Sequence, residues 1–138
     1  MTSTDALPPD VLQGALLLGN EWAWALSSFP DALKNAEAHG YACLGGQFQF
    51  RLPDGGTCEM YWISADSADR RDGEAWTDYS HRSCTEVLGN FRKRISETDF
   101  ANEALAWHLP VSYEGDLVFV AYFVTEADLT DMAARTTR

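Results

Sequence analysis

The chain has 138 residues, of which 46% are hydrophobic and 22% are charged, a composition typical of one folded domain rather than two. Its 21 acidic and ten basic residues give a formal net charge of −11, which disfavours binding to nucleic acid or anionic lipid and favours a basic partner. The longest apolar stretch, residues 117–124, has eight residues, far short of the ~20 that a membrane-spanning helix needs.

The cysteines and the first residues indicate a compartment. Cys43, Cys58 and Cys84 lie far apart, without a Cys-x-x-Cys pair, which favours reduced thiols in a cytoplasmic protein over a secreted disulfide framework. The start, MTSTDALPPD, carries acids and prolines where a signal peptide has basic residues, so no export signal is predicted. We therefore expect one cytoplasmic domain over residues 1–138, frayed at 1–8 and 132–138.

The first quarter of the chain predicts two helices separated by a short strand. Residues 9–18 read as a short helix that ends at Gly19 and Asn20, and the alternation around Trp22 and Trp24 is typical of a strand. In SSFPDALKNAEAHG, Ser28 is a candidate N-cap, Pro30 fits the first turn and Gly40 is a left-handed stop. A second helix is predicted between them.

Period-two alternation then predicts a β-hairpin. Residues 41–52 place alternate side chains on one apolar face, a turn is expected at Pro-Asp-Gly-Gly (residues 53–56), and residues 57–64 form the antiparallel partner. Gly45 and Gly46 interrupt the first strand, which indicates a bulge or a close approach by another backbone. Tyr61 and Trp62 are adjacent on the second strand, so alternation predicts that they face opposite ways and that one lies outside the main core.

The second half predicts a long helix and an inner strand. Residues 65–73 form a polar loop, after which apolar residues recur at helical spacing to Ile95. Gly89 indicates either a tight contact or an early helix end. Residues 96–115 are ambiguous, with a short helix at 101–107, and residues 117–124 form a strand covered on both faces, followed by a helical turn from Glu126. These elements predict an α+β domain, a mainly antiparallel sheet packed against two or three helices.

The residues that bear reactive groups do not form a recognisable catalytic or metal motif. His81 and Cys84 are three apart on the long helix and offer two metal ligands without a second pair. Asp78, His81 and Ser83 are close in sequence, but no strained turn presents the serine as a nucleophile. We expect no metal, no cofactor and no enzymatic activity, and Ala at His81 is predicted to leave function nearly intact.

The segment from Glu21 to Arg94 resembles a known family. It resembles the immunity protein 40 family of bacterial polymorphic toxin systems in the order of four features. These are a helix ending in GYACLGGQFQF, a DG turn, a strand with YW, and the segment DGEAWTDYSHRS that opens an amphipathic helix. Gln47 and Tyr61 stand where that family has an acid and an asparagine. The resemblance implies a non-catalytic protein that binds a cognate toxin domain and protects the producing cell. It rests on Leu44, Gly45, Gly46, Trp62, Trp76, Tyr79 and Ser83.

We expect a toxin with a basic surface to bind around the polar loop at residues 65–73. Acidic residues are dense there, loops often carry binding residues, and aromatic residues lie nearby in the sequence. The expected toxin-binding residues are Glu59, Tyr61, Asp66, Asp69, Asp72 and Glu74. A rival surface is the stretch without Lys or Arg near the C-terminus, which contains Glu114, Asp116, Glu126, Asp128 and Asp131. Two other functions stay open at this point: a small-ligand or regulatory domain with a pocket between sheet and helices, and a hydrolase that uses His81. The sequence makes no prediction about the oligomeric state.

Overall fold

The computed structural model describes residues 7–111 and 113–136. The strands are β1 (Ala15–Leu18), β2 (Glu21–Ala25), β3 (Ala42–Arg51), β4 (Thr57–Asp66) and β5 (Leu117–Val124). The helices are α1 (Phe29–Ala38), α2 (Trp76–Glu97), α3 (Phe100–Ala106), the single turn α4 (Tyr113–Asp116) and α5 (Glu126–Thr136).

The strands form one antiparallel sheet in the order β1-β2-β5-β3-β4. The apolar strand β5 lies at the centre, as its sequence predicts, while β1 and β4 are the two edges. With helices packed on this sheet, the chain is an α+β domain, and the predicted hairpin of β3 and β4 is confirmed. Within the described residues, no helix combines the length and the apolar character needed to cross a membrane.

The two glycines of β3 let the central strands approach closely. Gly45 has a φ of 117°, in the region that favours glycine, and the pairing of β3 with β5 shifts between Cys43 and Gly45. A Cβ added to Gly46 would lie only 1.7 Å from the carbonyl oxygen of Val120 on β5. The expected bulge and the expected close approach are therefore both present at this pair.

Aromatic rings fill the space between the sheet and the helices. Phe119 of β5 lies 4.6 Å from Phe29 of α1 and 5.1 Å from Phe91 of α2, measured between ring centroids. Phe48 of β3 stacks on Phe91 at 5.5 Å and contacts Phe100 of α3 at 5.1 Å. All five rings are buried, so burial of apolar surface is what holds α1, α2 and α3 on this face.

Capping hydrogen bonds fix the ends of two helices. Gly40, with a φ of 84°, ends α1, and Tyr41 N–H donates to the Ala36 carbonyl across the turn, as the sequence predicts. Ser28 occupies the N-cap of α1 but makes no side-chain capping hydrogen bond. At the other end of the chain, Thr125 and Asp128 cap α5 reciprocally, with side-chain to N–H distances of 3.0 and 3.2 Å.

Several predicted boundaries need correction. The helix predicted at residues 9–18 is wrong: these residues form turns followed by β1, whose Leu18 pairs with Glu21 across the tight turn at Gly19. Gly89 neither ends α2 nor makes a tight contact, since the helix continues to Glu97 and a Cβ there would meet nothing within 4 Å. Leu7 is buried and α5 continues to Thr136, and the fraying expected at 1–8 and 132–138 stays a prediction. Residues 1–6, 137 and 138 lie outside the described residues.

Candidate functional site

The acidic loop, defined here as residues 67–75 between β4 and α2, lies at one end of the sheet. Asp69 and Asp72 of this loop are exposed, as is Asp66 at the end of β4. Ser67 holds the start of the loop to β3, because its hydroxyl donates to the Cys43 carbonyl at 2.7 Å. Three of the predicted binding carboxylates therefore lie close together in sequence, on an anchored segment, and accessible to a partner.

Glu74, also predicted to bind the partner, instead clamps the acidic loop to α2. Arg82 of α2 donates two hydrogen bonds to the Glu74 carboxylate, at 2.8 and 2.7 Å, and a third to Glu86 at 3.0 Å. The Arg71 N–H donates to the same Glu74 carboxylate at 3.0 Å. The hydrogen bonds from Arg82 and from the Arg71 backbone lower the pKa of Glu74 to about 2. This bidentate pairing makes Glu74 a structural residue of the loop.

A second arginine joins the acidic loop to α5. The Arg70 guanidinium lies 2.9 Å from the Glu126 carboxylate and 5.2 Å from the ring centre of Trp76. Asp128 is occupied in the cap of α5, whereas Asp131 is exposed. Two of the acids on the rival C-terminal surface are thus engaged within the fold, and the side chain of Glu114 lies outside the described residues.

Glu59 and Tyr61, the other two predicted binding residues, lie far from the acidic loop. They occupy the middle of β4, and the five steps along the chain from Tyr61 to Asp66 correspond to about 16 Å of extended strand. The neighbouring Glu59 carboxylate raises the pKa of the Tyr61 hydroxyl. The structure therefore divides the predicted site into two parts, the acidic loop at one end of β4 and this pair along its edge.

The edge of the sheet beside Tyr61 carries three exposed aromatic residues in a row. Tyr61 is 67% exposed, Trp62 is 55% exposed and Trp107, which follows α3, is 57% exposed. The Tyr61 and Trp62 rings lie 6.4 Å apart, and those of Trp62 and Trp107 lie 6.2 Å apart. The three residues together expose roughly 350 Å², which is comparable to the largest apolar patch of a typical monomer, and such patches are often functional. We call this row the aromatic edge.

Two backbone irregularities place these side chains on the surface. On β4, Met60 pairs with Phe48 and Ser64 pairs with Gln47, so the residues between them lack partners on β3 and both Tyr61 and Trp62 are exposed. Alternation predicts that one of them lies outside the main core, and in the structure both are exposed. At the end of α3, His108 has a φ of 54°, a left-handed conformation that is strained for histidine.

The turn at His108 also explains why sequence reasoning missed Trp107. The Leu109 N–H donates to the Ala104 carbonyl at 3.0 Å across this turn, a pattern that ends a helix. Helical spacing from Phe100 and Ala104 places residue 107 on the buried face, but α3 ends at Ala106 and Trp107 is exposed instead. A helix end of this kind usually has glycine or asparagine, so the sequence offered no signal for it.

A shallow groove of about 390 Å³ adjoins the aromatic edge. It lies between β4 and the connection from α2 to α3, and we call it the acidic groove. Its lining residues are Trp62, Ile63, Glu97, Thr98, Asp99, Asn102 and Glu103. Core phenylalanines occupy the space between the sheet and the helices, where the alternative small-ligand function would place its pocket.

The candidate catalytic and metal residues do not converge. The Ser83 hydroxyl is fully buried, donates to the Ser80 carbonyl and accepts from the Cys43 N–H, each at 3.1 Å. His81 is exposed and its Nδ1 lies 2.9 Å from the Glu37 carboxylate of α1, an interaction that raises its pKa. Burial raises the pKa of Cys84 to about 12 and keeps it a thiol. Across residues 7–111 and 113–136, no three His, Cys, Asp or Glu side chains are grouped as metal ligands.

Comparison with family models, with curated proteins and with solved structures finds no match to this chain. The resemblance to the immunity protein 40 family therefore stays a prediction.

Proposed function

We propose that this chain is a non-catalytic binding protein that neutralises a cognate bacterial toxin domain by direct contact. The observation that carries the proposal is the aromatic edge, where Tyr61, Trp62 and Trp107 are exposed in contact with one another. Exposed Trp and Tyr residues are the side chains most enriched at the energetic centres of protein interfaces. The toxin as partner comes from the family resemblance.

The charge of the chain favours a basic partner. The net charge is −11, and Glu59 and the carboxylates of the acidic groove flank the aromatic edge. Toxins that act on nucleic acid tend to carry basic active sites, which an acidic inhibitor occupies as a charge mimic. Asp66, about 16 Å along β4 from Tyr61, and Asp69 and Asp72 of the acidic loop are exposed and would accelerate the encounter through long-range attraction.

The surroundings of the reactive side chains support binding over catalysis and suit a cytoplasmic protein. The Ser83 hydroxyl is tied to backbone groups, and His81 faces Glu37 rather than a nucleophile. Cys43 and Cys84 are buried, and burial raises the pKa of both thiols, which favours their reduced, unreactive form. We therefore place this binding protein in the cytoplasm, where it would meet a toxin before or after its delivery.

A growth assay tests the proposal. The C-terminal domain encoded by the reading frame next to this chain's gene is expressed in a bacterial host, alone and together with this chain. We expect that domain to stop growth, the wild-type chain to restore it, and the Trp62→Ala, Trp107→Ala double variant to restore it poorly. Leu17→Ala is the matched control, because Leu17 is 55% exposed on β1 at the opposite edge of the sheet.

Two outcomes would contradict the proposal directly, and a third would remove the support from the aromatic edge. One is a toxic neighbouring domain that the wild-type chain does not counteract. The other is full protection by the double variant, which would leave the aromatic edge without a role. Protection lost equally in the Leu17→Ala control would count against this edge as well. A circular dichroism spectrum of each variant verifies that the fold is retained, as expected for substitutions of exposed residues.

A further inference from the structure

The edge strand β4 ends in a part whose outward backbone groups are covered by α2. The Nε of Arg94 donates to the Ser64 carbonyl at 3.0 Å. The side-chain amide of Asn90 donates to the Asp66 carbonyl at 2.8 Å. Covering an edge in this way protects it from pairing with another chain. The end of β4 is therefore closed to a further strand.

The start of β4 has no such cover. At the turn before it, the Leu52 N–H donates to the Gly56 carbonyl at 2.8 Å, so the backbone of Gly56 faces β3. Successive residues of an antiparallel strand point their N–H and C=O groups in alternate directions, so those of Thr57 and Glu59 face away from β3. Within the described residues, no hydrogen bond from the protein reaches these outward groups. They form a template for a further strand.

We propose that the protein partner adds an extended segment to the start of β4, with its backbone hydrogen-bonded to Thr57 and Glu59. This inference rests on the proposed function and describes how the partner's chain is held. An extended backbone fits this edge because it carries a donor and an acceptor at every second residue, with the same spacing as β4. Tyr61 follows Glu59 by two residues, so the added segment would continue onto the aromatic edge.

The opposite edge of the sheet fits a partner strand less well. β1 has four residues, against ten in β4. Leu18 pairs with Glu21 across a two-residue turn, and the same alternation turns Ala15 and Leu17 outward. The Ala15 N–H already donates to the Leu12 carbonyl at 2.9 Å. Within the described residues, β1 therefore offers a single free outward N–H, that of Leu17.

Charge argues against a second copy of this chain as the occupant. Each copy carries a net charge of −11, and pairing two β4 strands would place both Glu59 side chains on one short ladder, where like charges repel. Arg51, the base opposite Thr57, donates to the Gly115 carbonyl at 2.8 Å, on the side of β3 away from β4. A basic toxin domain would instead be attracted to this chain.

Amide hydrogen exchange tests the pairing in the wild-type chain, measured by nuclear magnetic resonance with and without the toxin domain encoded beside it. In the free chain we expect rapid exchange at Thr57 and Glu59, and slow exchange at Cys58 and Met60, which face β3. Binding should slow exchange at Thr57 and Glu59 by about tenfold or more, while Leu17 on β1 stays rapid. Slow exchange at Thr57 and Glu59 in the free chain through self-association, or unchanged exchange in the complex, would overturn the proposal.

Substitutions at Thr57 test the backbone hydrogen bond itself. Thr57→Pro removes the outward N–H at the first residue of an edge strand, where proline is tolerated, and should weaken toxin binding about five- to tenfold. Thr57→Val keeps the N–H and should bind within about twofold of the wild type. Leu17→Pro makes the same backbone change at the opposite edge and should bind like Thr57→Val. Equal affinity of folded Thr57→Pro and Thr57→Val, or equal weakening by Leu17→Pro, would overturn the pairing.

The outcomes for the strand pairing and for the proposed function are separable. If the toxin domain is bound and neutralised while exchange at Thr57 and Glu59 stays rapid, the pairing is wrong and the function stands. If the toxin domain is neither bound nor neutralised, the proposed function is wrong, and the pairing with that domain is wrong as well.

Discussion

Substitution of Gly46 by alanine tests the close approach of the two central strands. The added Cβ would lie 1.7 Å from the carbonyl oxygen of Val120, 2.7 Å from its carbonyl carbon and 3.0 Å from the Cα of Ala121. Ordinary contacts of a Cβ begin near 3.4 Å, so the overlap with the oxygen exceeds 1 Å. All three atoms belong to the backbone of β5, so relief requires β3 and β5 to separate, with loss of ladder hydrogen bonds.

The expected cost of Gly46→Ala is large compared with the stability of a domain of this size. Overpacking a well-filled core costs about 1–3 kcal/mol and occasionally more, and a backbone neighbour that does not rotate away puts this case at or above about 3 kcal/mol. Native domains are stable by only about 5–15 kcal/mol. We therefore expect the urea unfolding midpoint, measured by tryptophan fluorescence and circular dichroism, to fall sharply, or the chain not to fold.

Gly89→Ala is the matched control. Gly89 lies in the interior of α2, is exposed, and an added Cβ would meet nothing within 4 Å. The same chemical change should there stabilise the domain by about 0.4–1 kcal/mol, because alanine is the better helix former. A Gly46→Ala variant as stable as the wild type, or equal destabilisation by both substitutions, would refute the reasoning from the strand contact.

Three further predictions concern the acidic loop and α2. The pKa of Glu74 is about 2, below its ordinary value of 4.5, so its pairing with Arg82 stabilises the fold above pH 4.5 and this stabilisation is lost as the pH falls towards 2. The free energy of unfolding, measured between pH 4.5 and pH 2, should therefore depend less on pH in Glu74→Gln than in the wild type. Substitution of Asp66, Asp69 and Asp72 by Lys should slow toxin association at low salt by about tenfold and reduce the salt dependence of the association rate, as measured by stopped flow. Lys at Asp31 and Asp131, which are also exposed, should have a smaller effect. Equal slowing by both sets of substitutions would contradict a role for the loop. His81→Ala should leave growth protection nearly intact, and a folded His81→Ala chain without protection would contradict the non-catalytic account. Because Glu37 raises the pKa of His81 above 6.5, the loss of stability in this variant should be largest below pH 6.5 and fade as the pH rises through the raised pKa.

Local patterns in the sequence predicted much of the fold. Period-two alternation and the turn at residues 53–56 predicted the hairpin, and the unbroken apolar run at Leu117–Val124 predicted the central strand. Pro30 and Gly40 bounded α1 because each acts through its own backbone chemistry, independent of tertiary contacts. The two glycines of β3 also identified the close approach before its partner strand was known.

The error at residues 9–18 shows where periodicity fails. Four apolar residues, Ala15–Leu18, are too few to distinguish strand from helix by spacing alone. The decisive signal is Gly19 followed by Asn20. This pair is typical of two-residue hairpin turns with glycine first, but glycine also commonly ends a helix. Gly19 has a φ of 65° and joins β1 to β2 in that hairpin.

The candidate site was predictable only where it depended on local composition. The exposed acids of the loop follow from their density in the sequence, and Tyr61 from its position on the strand that leads into the loop. Glu74 appeared equivalent to its neighbours, because the pairing with Arg82 joins residues eight apart through the fold of the loop onto α2. Trp107 and the acidic groove depend on where α3 ends and how β4 bulges, which tertiary packing decides.

The affinity of this chain for the toxin domain encoded beside it tests the central claim most directly. Isothermal titration calorimetry would compare the wild type, the Trp62→Ala, Trp107→Ala double variant and the Leu17→Ala control. Loss of an interface centre typically costs about 2 kcal/mol or more, which corresponds to roughly 30-fold in Kd. We predict at least that loss for the double variant and a Kd within about twofold of the wild type for Leu17→Ala. A folded double variant that binds as tightly as the wild type would contradict the account.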